Sequence, residues 1–144
     1  MRVVVVALIF CMATVVSSRA FDHGFDHSDS VVQWFDQLMR PDVDEGFQGV
    51  VSCCGLGDAY PAELIVDGGP YGEWIARITD GGAIEFPDGK WRSPLPDGTV
   101  VHFPATKVIR PDQGNPTKHA WLFLSVWGGE VHEIWCFVPL PPNT

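Results

Sequence analysis

The most regular hydrophobic pattern in the chain is a helical stripe near its N-terminus. Apolar residues recur every three or four positions over residues 31–39, while polar residues occupy the opposite side. Ser30 and Gln33 have the spacing of a capping box, and Pro41 ends the pattern. We therefore predict a short amphipathic helix that covers a sheet. Its apolar stripe consists of Val31, Trp34, Phe35, Leu38 and Met39.

From Pro41 onward, short apolar runs alternate with glycine and proline. Five runs are typical of β-strands: residues 64–66, 74–79, 99–103, 120–126 and 131–138. Gly128-Gly129 predicts a hairpin between the last two runs. Regular alternation in the last run would place Cys136 on one face with Ile134 and Val138. The predicted fold is mainly β, a small barrel or sandwich with one short N-terminal amphipathic helix.

The first 20 residues have the three-part pattern of a cleavable secretory signal. Arg2 precedes an apolar run over residues 3–13, and the small residues Ser18 and Ala20 suit a signal peptidase. A membrane anchor is the alternative, but it needs about 20 apolar residues, and polarity returns at Thr14. We expect a signal peptide over residues 1–20 and a single small β-rich domain over residues 21–144. The expected location is secreted or periplasmic, without stable membrane insertion after cleavage.

The charge of the chain is strongly negative. It has 18 acidic and 9 basic residues, and Arg2 and Arg19 would leave with the signal peptide. The mature domain would then carry a net charge of −11 with histidine neutral. A field of this sign repels phosphate backbones and anionic lipids. We therefore expect no nucleic-acid partner, and cations, sugars or a basic protein surface are favoured instead.

Three cysteines, Cys53, Cys54 and Cys136, remain once the signal peptide is removed. Thiols that can pair in an oxidising compartment usually do so. The adjacent Cys53 and Cys54 would pair with each other only under strain, so Cys136 is expected to bridge to one of the two. The sequence leaves open which one. Such a bridge would close a loop of about 80 residues, worth on the order of 4 kcal/mol.

Several short motifs in a fixed order resemble a group of small exported bacterial proteins of uncharacterised function. The motifs are Ser52-Cys53-Cys54-Gly55, Asp58-Ala59-Tyr60, Asp97-Gly98-Thr99, residues 101–108, Asn115-Pro116-Thr117, His119 and Cys136-Phe137-Val138-Pro139. The resemblance implies a secreted or periplasmic β domain with a recurrent Cys-Cys pair. It implies no particular activity.

Metal binding is the sharpest chemical hypothesis. The five histidines and the three remaining cysteines have the side chains that Zn or Cu prefers, although their spacing matches no standard site. If cleavage follows Ala20, the mature chain begins Phe21-Asp22-His23. A free amine with histidine in third position can hold Cu(II) in a square plane of nitrogens. His23 is therefore a candidate copper ligand, and the alternative is a solvated chain terminus.

Candidate catalytic groups are a thiol–imidazole pair and clustered carboxylates. Cys54 and His119 could form a nucleophilic pair oriented by Asp58 or Asp112. The acidic surroundings oppose the thiolate, and a structural bridge accounts for the same cysteines. A solvated surface is the simpler interpretation of the clustered carboxylates, which are Asp42, Asp44, Glu45, Glu130 and Glu133.

The chain has six tryptophans, and they favour a binding function. Trp34 and Trp121 are expected in the core, whereas Trp91 and Trp127 are expected to be more exposed. Exposed aromatic rings provide stacking faces for sugars or anchors for a partner protein. Trp91, Trp127 and His119 are the candidate ligand contacts. The leading prediction is a non-enzymatic binding or accessory protein of unknown ligand that needs no cofactor. An exported Cu- or Zn-binding protein is the alternative, and a small hydrolase is a more distant one.

Overall fold

One antiparallel sheet of five strands forms the fold, which confirms the mainly β prediction. The computed structural model describes residues 29–43, 51–85, 91–110 and 114–141. Residues 1–20 and His23 lie outside these ranges. The elements are helix α1 (Asp29–Asp36), strands β1 (Asp58–Val66), β2 (Glu73–Ile78) and β3 (Val100–Pro104), a 3-10 helix (Ala105–Lys107), and strands β4 (Ala120–Trp127) and β5 (Glu130–Val138). The strand order in the sheet is β3-β2-β1-β4-β5.

The sheet curls into a nearly closed barrel because β1 changes partners midway. Residues 58–62 of β1 pair with β4, and residues 62–66 pair with β2. At the opposite side, the segment after β3 reaches β5 through a parallel bridge between Val108 and Phe137. The Ile109 N–H also donates to the Phe137 carbonyl at 2.8 Å. The barrel is therefore closed beyond the end of β3, while a groove separates β3 itself from the start of β5.

Apolar side chains pack on both faces of the sheet, which produces two cores. The inner core fills the barrel, and its members include Tyr60, Trp74, Phe103, Leu122, Leu124 and Phe137. The outer core lies between the sheet and helix α1, whose Phe35 ring meets Trp121 edge-on at 5.1 Å between centroids. The disulfide Cys53–Cys136 belongs to this outer core. The helix thus covers one face of the sheet, as its stripe predicted.

Helix α1 ends earlier than its hydrophobic stripe. It stops at Asp36, although Leu38 is still buried in the outer core. After the helix, the Leu38 carbonyl accepts from the Cys53 N–H, and the Arg40 N–H donates to the Val51 carbonyl, both at 2.8 Å. This extended pairing replaces the last helical turn and brings the Cys53 segment under the helix.

Strand β1 begins six residues before its predicted start. The six residues before that predicted start include Asp58, Pro61 and Glu63, residue types that are rarely found in strands. Pro61 lies opposite Trp121 of β4, and on its other side its carbonyl accepts from the Thr79 N–H at 3.0 Å, just after β2 ends. Pairing with β2 starts at Ala62, so the missing N–H of Pro61 falls at the end of that ladder and not within it.

Two β-bulges break the alternation of β5 and correct the predicted face of Cys136. His132 and Trp135 are extra residues that have no partner in the register with β4. Cys136 and Val138 pack in the outer core, whereas Ile134 packs against the inner core. Cys136 therefore shares a face with Val138 but not with Ile134.

Arg92 fixes the long connection between β2 and β3. Its side chain is fully buried, and the guanidinium donates to the carbonyls of Ala59 at 3.0 Å and Gly82 at 2.6 Å. It also lies over the ring of Tyr60, 4.7 Å from the centroid, and interacts with Asp80. These contacts tie the connection to β1 at the end of the barrel where the candidate site begins.

Candidate functional site

The candidate site is a groove of about 250 Å³ at the end of the barrel where β4 extends past β1. Strand β1 starts at Asp58, opposite Leu124, so residues 125–127 of β4 have no β1 partner beside them. The turn after the Cys-Cys pair occupies part of this space and leaves the groove between itself and β4. The groove is lined by Cys54, Gly55, Leu56, Gly57, Asp58, Leu124, Ser125, Val126 and Trp127.

Trp127 forms one rim of the groove and is 58% exposed. The ring of His132 stacks on it with centroids 3.4 Å apart and planes 6° from parallel. His132 reaches this position because it is a bulge residue of β5. Its Nε2 atom also lies 3.2 Å from the Trp127 carbonyl. The stack holds the indole in one orientation and leaves its other face open to solvent.

Trp135, the second bulge residue, supports the floor of the groove. Its Nε1–H donates to the Ser125 hydroxyl at 2.8 Å, and the Arg40 guanidinium lies 4.9 Å from its ring centroid. Gly57 is required beside it, because a Cβ there would lie 2.6 Å from the ring and 2.9 Å from the Leu124 backbone. The turn can therefore approach β4 closely only with glycine at this position.

One carboxylate lines the groove, and two more lie across the hairpin from its β4 residues. Asp58 lines it and accepts from the Ser93 N–H at 3.4 Å. Burial raises the pKa of the Asp58 carboxyl above its usual range, and the Ser93 N–H and nearby Arg92 only partly offset this. Glu130 lies opposite Trp127 and Glu133 opposite Ser125 in the register of β4 and β5. Directly opposed residues of antiparallel strands project from the same face, so Glu130 projects beside the exposed indole and Glu133 beside Ser125.

The thiol of Cys54 forms the buried end of the groove. It donates to the Phe35 carbonyl at 3.2 Å, and Cys54 is the free cysteine of the described ranges. Burial raises the pKa of this thiol, and the charge of Asp36 raises it further. Since a nucleophilic cysteine needs a lowered pKa, this environment suits packing rather than attack.

The structure settles the cysteine pairing that the sequence left open. Cys136 is bridged to Cys53, and Cys54 remains reduced. It also separates the residues of the proposed thiol–imidazole pair: Cys54 lines the Trp127 groove, whereas His119 lines a different depression with Glu63, Leu64 and Leu140. The Cys54–His119 pair is therefore not formed. Asp112, its second possible orienting group, lies outside the described residues.

The three candidate ligand contacts do not form one site. Trp127 lines the groove, but Trp91 and His119 are not among the lining residues. Trp91 is 57% exposed, as predicted, and forms an isolated bridge with Glu85. His119 is exposed, and its ring meets Trp121 edge-on at 5.9 Å. Trp34 and Trp121 are buried in the outer core, as expected.

The described residues contain no cluster of three histidine, cysteine or acidic side chains that could hold a metal ion. The copper hypothesis depends on His23, which lies outside these residues, and it stays a prediction. Asp42 is occupied by ion pairs with Arg40 and Lys107. The other two members of its acidic cluster, Asp44 and Glu45, also lie outside the described ranges.

Sequence reasoning identified Trp127 but missed most of its surroundings. Leu56, Gly57 and Ser125 join the site through the curl of the sheet, for which the sequence carries no local signal. His132 joins it because a β-bulge interrupts the alternation of side chains along β5. A prediction from strict alternation does not show where such a bulge occurs. The adjacent Gly128-Gly129 turn was the one available clue, because it places Trp127 at the tip of a hairpin.

Comparison of the chain with protein-family models, curated proteins and solved structures gives no match. None of the helices within the described ranges has the length and apolar content needed to cross a bilayer.

Proposed function

We propose that this chain is an exported, non-enzymatic binding protein and that the Trp127 groove is its binding surface. The observation that carries the proposal is the exposed indole held against His132 at 3.4 Å. A large aromatic ring fixed before binding loses little conformational freedom when a ligand arrives. Tryptophan is also enriched among the residues that dominate binding energy at interfaces.

Export is supported by two independent features. The pattern over residues 1–20 is that of a secretory signal. The Cys53–Cys136 disulfide is typical of proteins that fold in an oxidising compartment. A secreted or periplasmic location accommodates both features.

Binding is favoured over catalysis by the chemistry of the groove. Its thiol is buried with a raised pKa, and its hydroxyl, on Ser125, accepts a hydrogen bond from Trp135. Both groups stabilise the floor of the groove. The exposed groups at the rims are an aromatic ring and a leucine, which provide contact area.

The test is a ligand-observed NMR screen of the mature protein against neutral saccharides, organic cations and short peptides. We expect at least one class to receive saturation transfer from the wild type. We expect that signal to disappear in Trp127→Ala. Trp91→Ala is the matched control, because it removes an indole of nearly equal exposure outside the groove.

The proposal would be wrong if the signal survived in Trp127→Ala. It would also be wrong if Trp91→Ala abolished the signal instead. Thermal denaturation of both variants checks that each remains folded before the comparison is made.

A further inference from the structure

The ligand class of the Trp127 groove can be argued from charge and aromatic geometry. The following inference rests on the proposed function and extends it. We propose that the groove receives the guanidinium of an arginine side chain presented by a basic partner protein.

The groove has an acidic electrostatic character. Its nine lining residues include the carboxylate Asp58 and no lysine, arginine or histidine. Glu130 lies across from the exposed indole, and the whole chain carries a net charge of −9. The Arg40 guanidinium lies over Trp135 and interacts electrostatically with Glu133, and Arg92 interacts in the same way with Asp58. Glu130, across from the exposed indole, is therefore the carboxylate that favours an incoming cation.

Several aromatic rings elsewhere in the molecule are covered by guanidinium groups. Guanidinium groups lie over Trp135, Tyr60 and Trp74 at centroid distances of 4.9, 4.7 and 5.7 Å. Within the described ranges, Trp127 has no such cover, and His132 occupies one of its faces. Tryptophan is the strongest cation–π acceptor among the side chains. The open face of Trp127 is thus suited to a guanidinium from another molecule.

The groove is small and open, which suits a single side chain of a larger partner. Sites that enclose small ligands have volumes of about 300 to 1,000 Å³ and bury most of the ligand surface. This groove is smaller, at about 250 Å³, and it is open to solvent. Its rims carry exposed apolar groups, with Leu56 39% and Trp127 58% exposed. One side chain fits the groove, and the rims remain available for the protein surface around that side chain.

The experiment compares two peptides that differ only in charge. An acetylated Gly-Ser-Arg-Ser-Gly amide and its citrulline analogue are titrated into isotopically labelled mature protein, and the indole N–H signals are followed. Citrulline has the shape of arginine but is neutral. We expect the arginine peptide to shift the Trp127 signal and the citrulline peptide to bind at least about fivefold more weakly. Added salt should weaken the arginine peptide alone.

Two pairs of variants locate the interaction. Trp127→Ala and Glu130→Gln should each reduce the affinity of the arginine peptide. Trp91→Ala and Glu85→Gln should leave it unchanged, because they remove the same kinds of group from a bridge outside the groove. Glu85→Gln also changes the net charge by the same amount as Glu130→Gln.

Three results would overturn the inference. One is equal affinity for the arginine and citrulline peptides. Another is equal loss of affinity in Glu130→Gln and Glu85→Gln. The third is binding of free ethylguanidinium as tight as that of the peptide, which would identify a small cation as the ligand. If a neutral saccharide bound at Trp127 while the arginine peptide did not, this inference would fail and the proposed binding function would stand.

Discussion

At the scale of single residues, the most consequential position is a buried positive charge. Arg92 has no exposed surface, and burial lowers the pKa of its guanidinium, although Asp80 and Asp58 favour the charged form. The planar group satisfies carbonyl oxygens on two segments at once. Only a guanidinium has enough donors in one plane to do this.

We predict that Arg92→Met reduces the free energy of unfolding by about 3 to 5 kcal/mol, because it leaves buried acceptors unpaired. Arg92→Lys should lose much of the same energy, since one ammonium cannot reach the same set of carbonyls. Chemical denaturation measures both changes. A loss below about 1 kcal/mol for both variants would show that the hydrogen bonds of Arg92 contribute little.

The thiol of Cys54 gives a second residue-scale prediction. It is buried, hydrogen-bonded to the Phe35 carbonyl and has a raised pKa. Native mature protein should therefore not react with a thiol reagent at neutral pH. After unfolding without reductant, one thiol per chain should react. Three reactive thiols after unfolding would mean that the Cys53–Cys136 bridge is absent, and reaction in the native state would mean that Cys54 is accessible.

At the scale of elements, the β4–β5 hairpin determines the position of the exposed indole. Gly128 and Gly129 have φ values of 64° and 78°, the left-handed pair that a two-residue type I′ turn requires. Each substitution by alanine should cost about 1 to 2 kcal/mol of stability. Gly128→Asn should cost clearly less, because asparagine tolerates this conformation. Denaturation of the three variants is the measurement, and equal losses for alanine and asparagine at Gly128 would contradict the turn assignment.

An ion-pair network connects the segment after helix α1 to the 3-10 helix. Asp42 accepts from Arg40 at 3.0 Å and from Lys107 at 2.5 Å. Burial alone would raise the pKa of the Asp42 carboxyl, but the two hydrogen bonds and the positive charges hold it below its usual value. A lowered pKa in the folded state means that the charged form stabilises the fold. This stabilisation is complete above the unfolded pKa of about 3.9 and is lost as the pH falls below it.

Asp42→Asn should therefore destabilise the protein by about 1 to 3 kcal/mol at pH 7. The difference in free energy of unfolding between Asp42→Asn and the wild type should shrink below about pH 4. Denaturation curves over this pH range measure the effect. Glu85→Gln, at an exposed carboxylate, is the control for the change in charge. If this difference in unfolding free energy stayed constant with pH, the network would stabilise the fold through packing rather than through charge.

The elements themselves were largely predictable, and their three-dimensional arrangement was not. The helical stripe and the five apolar runs correspond to α1 and the five strands, because burial on one face imposes a period. The first half of β1 was missed because Asp58 and Pro61 are typical of turns. Pro61 is tolerated only because β1 changes partners there. The bulges at His132 and Trp135 and the burial of Arg92 depend on distant residues, and the groove arises from these features.

At the scale of the whole molecule, stability depends on an outer core whose parts lie far apart in the sequence. The outer core is formed by α1, the Cys53 segment and one face of β4 and β5. Its contributors are separated by long stretches of chain, and the Cys53–Cys136 disulfide joins two of them 83 residues apart. The free thiol of Cys54 is adjacent in sequence and also buried. Substitution of Cys54 is therefore a matched control, because it removes a buried cysteine side chain and leaves the crosslink intact.

We predict that Cys53→Ala with Cys136→Ala reduces the free energy of unfolding by about 4 kcal/mol, chiefly because the unfolded chain gains freedom. Cys54→Ala should cost less, since it removes only a buried sulfur atom. Reductant should destabilise the wild type and Cys54→Ala but have no effect on the double variant. Because the same Cys-Cys turn lines the Trp127 groove, loss of the crosslink should also weaken whatever binds there. Equal stability of the double variant and Cys54→Ala would mean that the crosslink does not hold the parts of the outer core together.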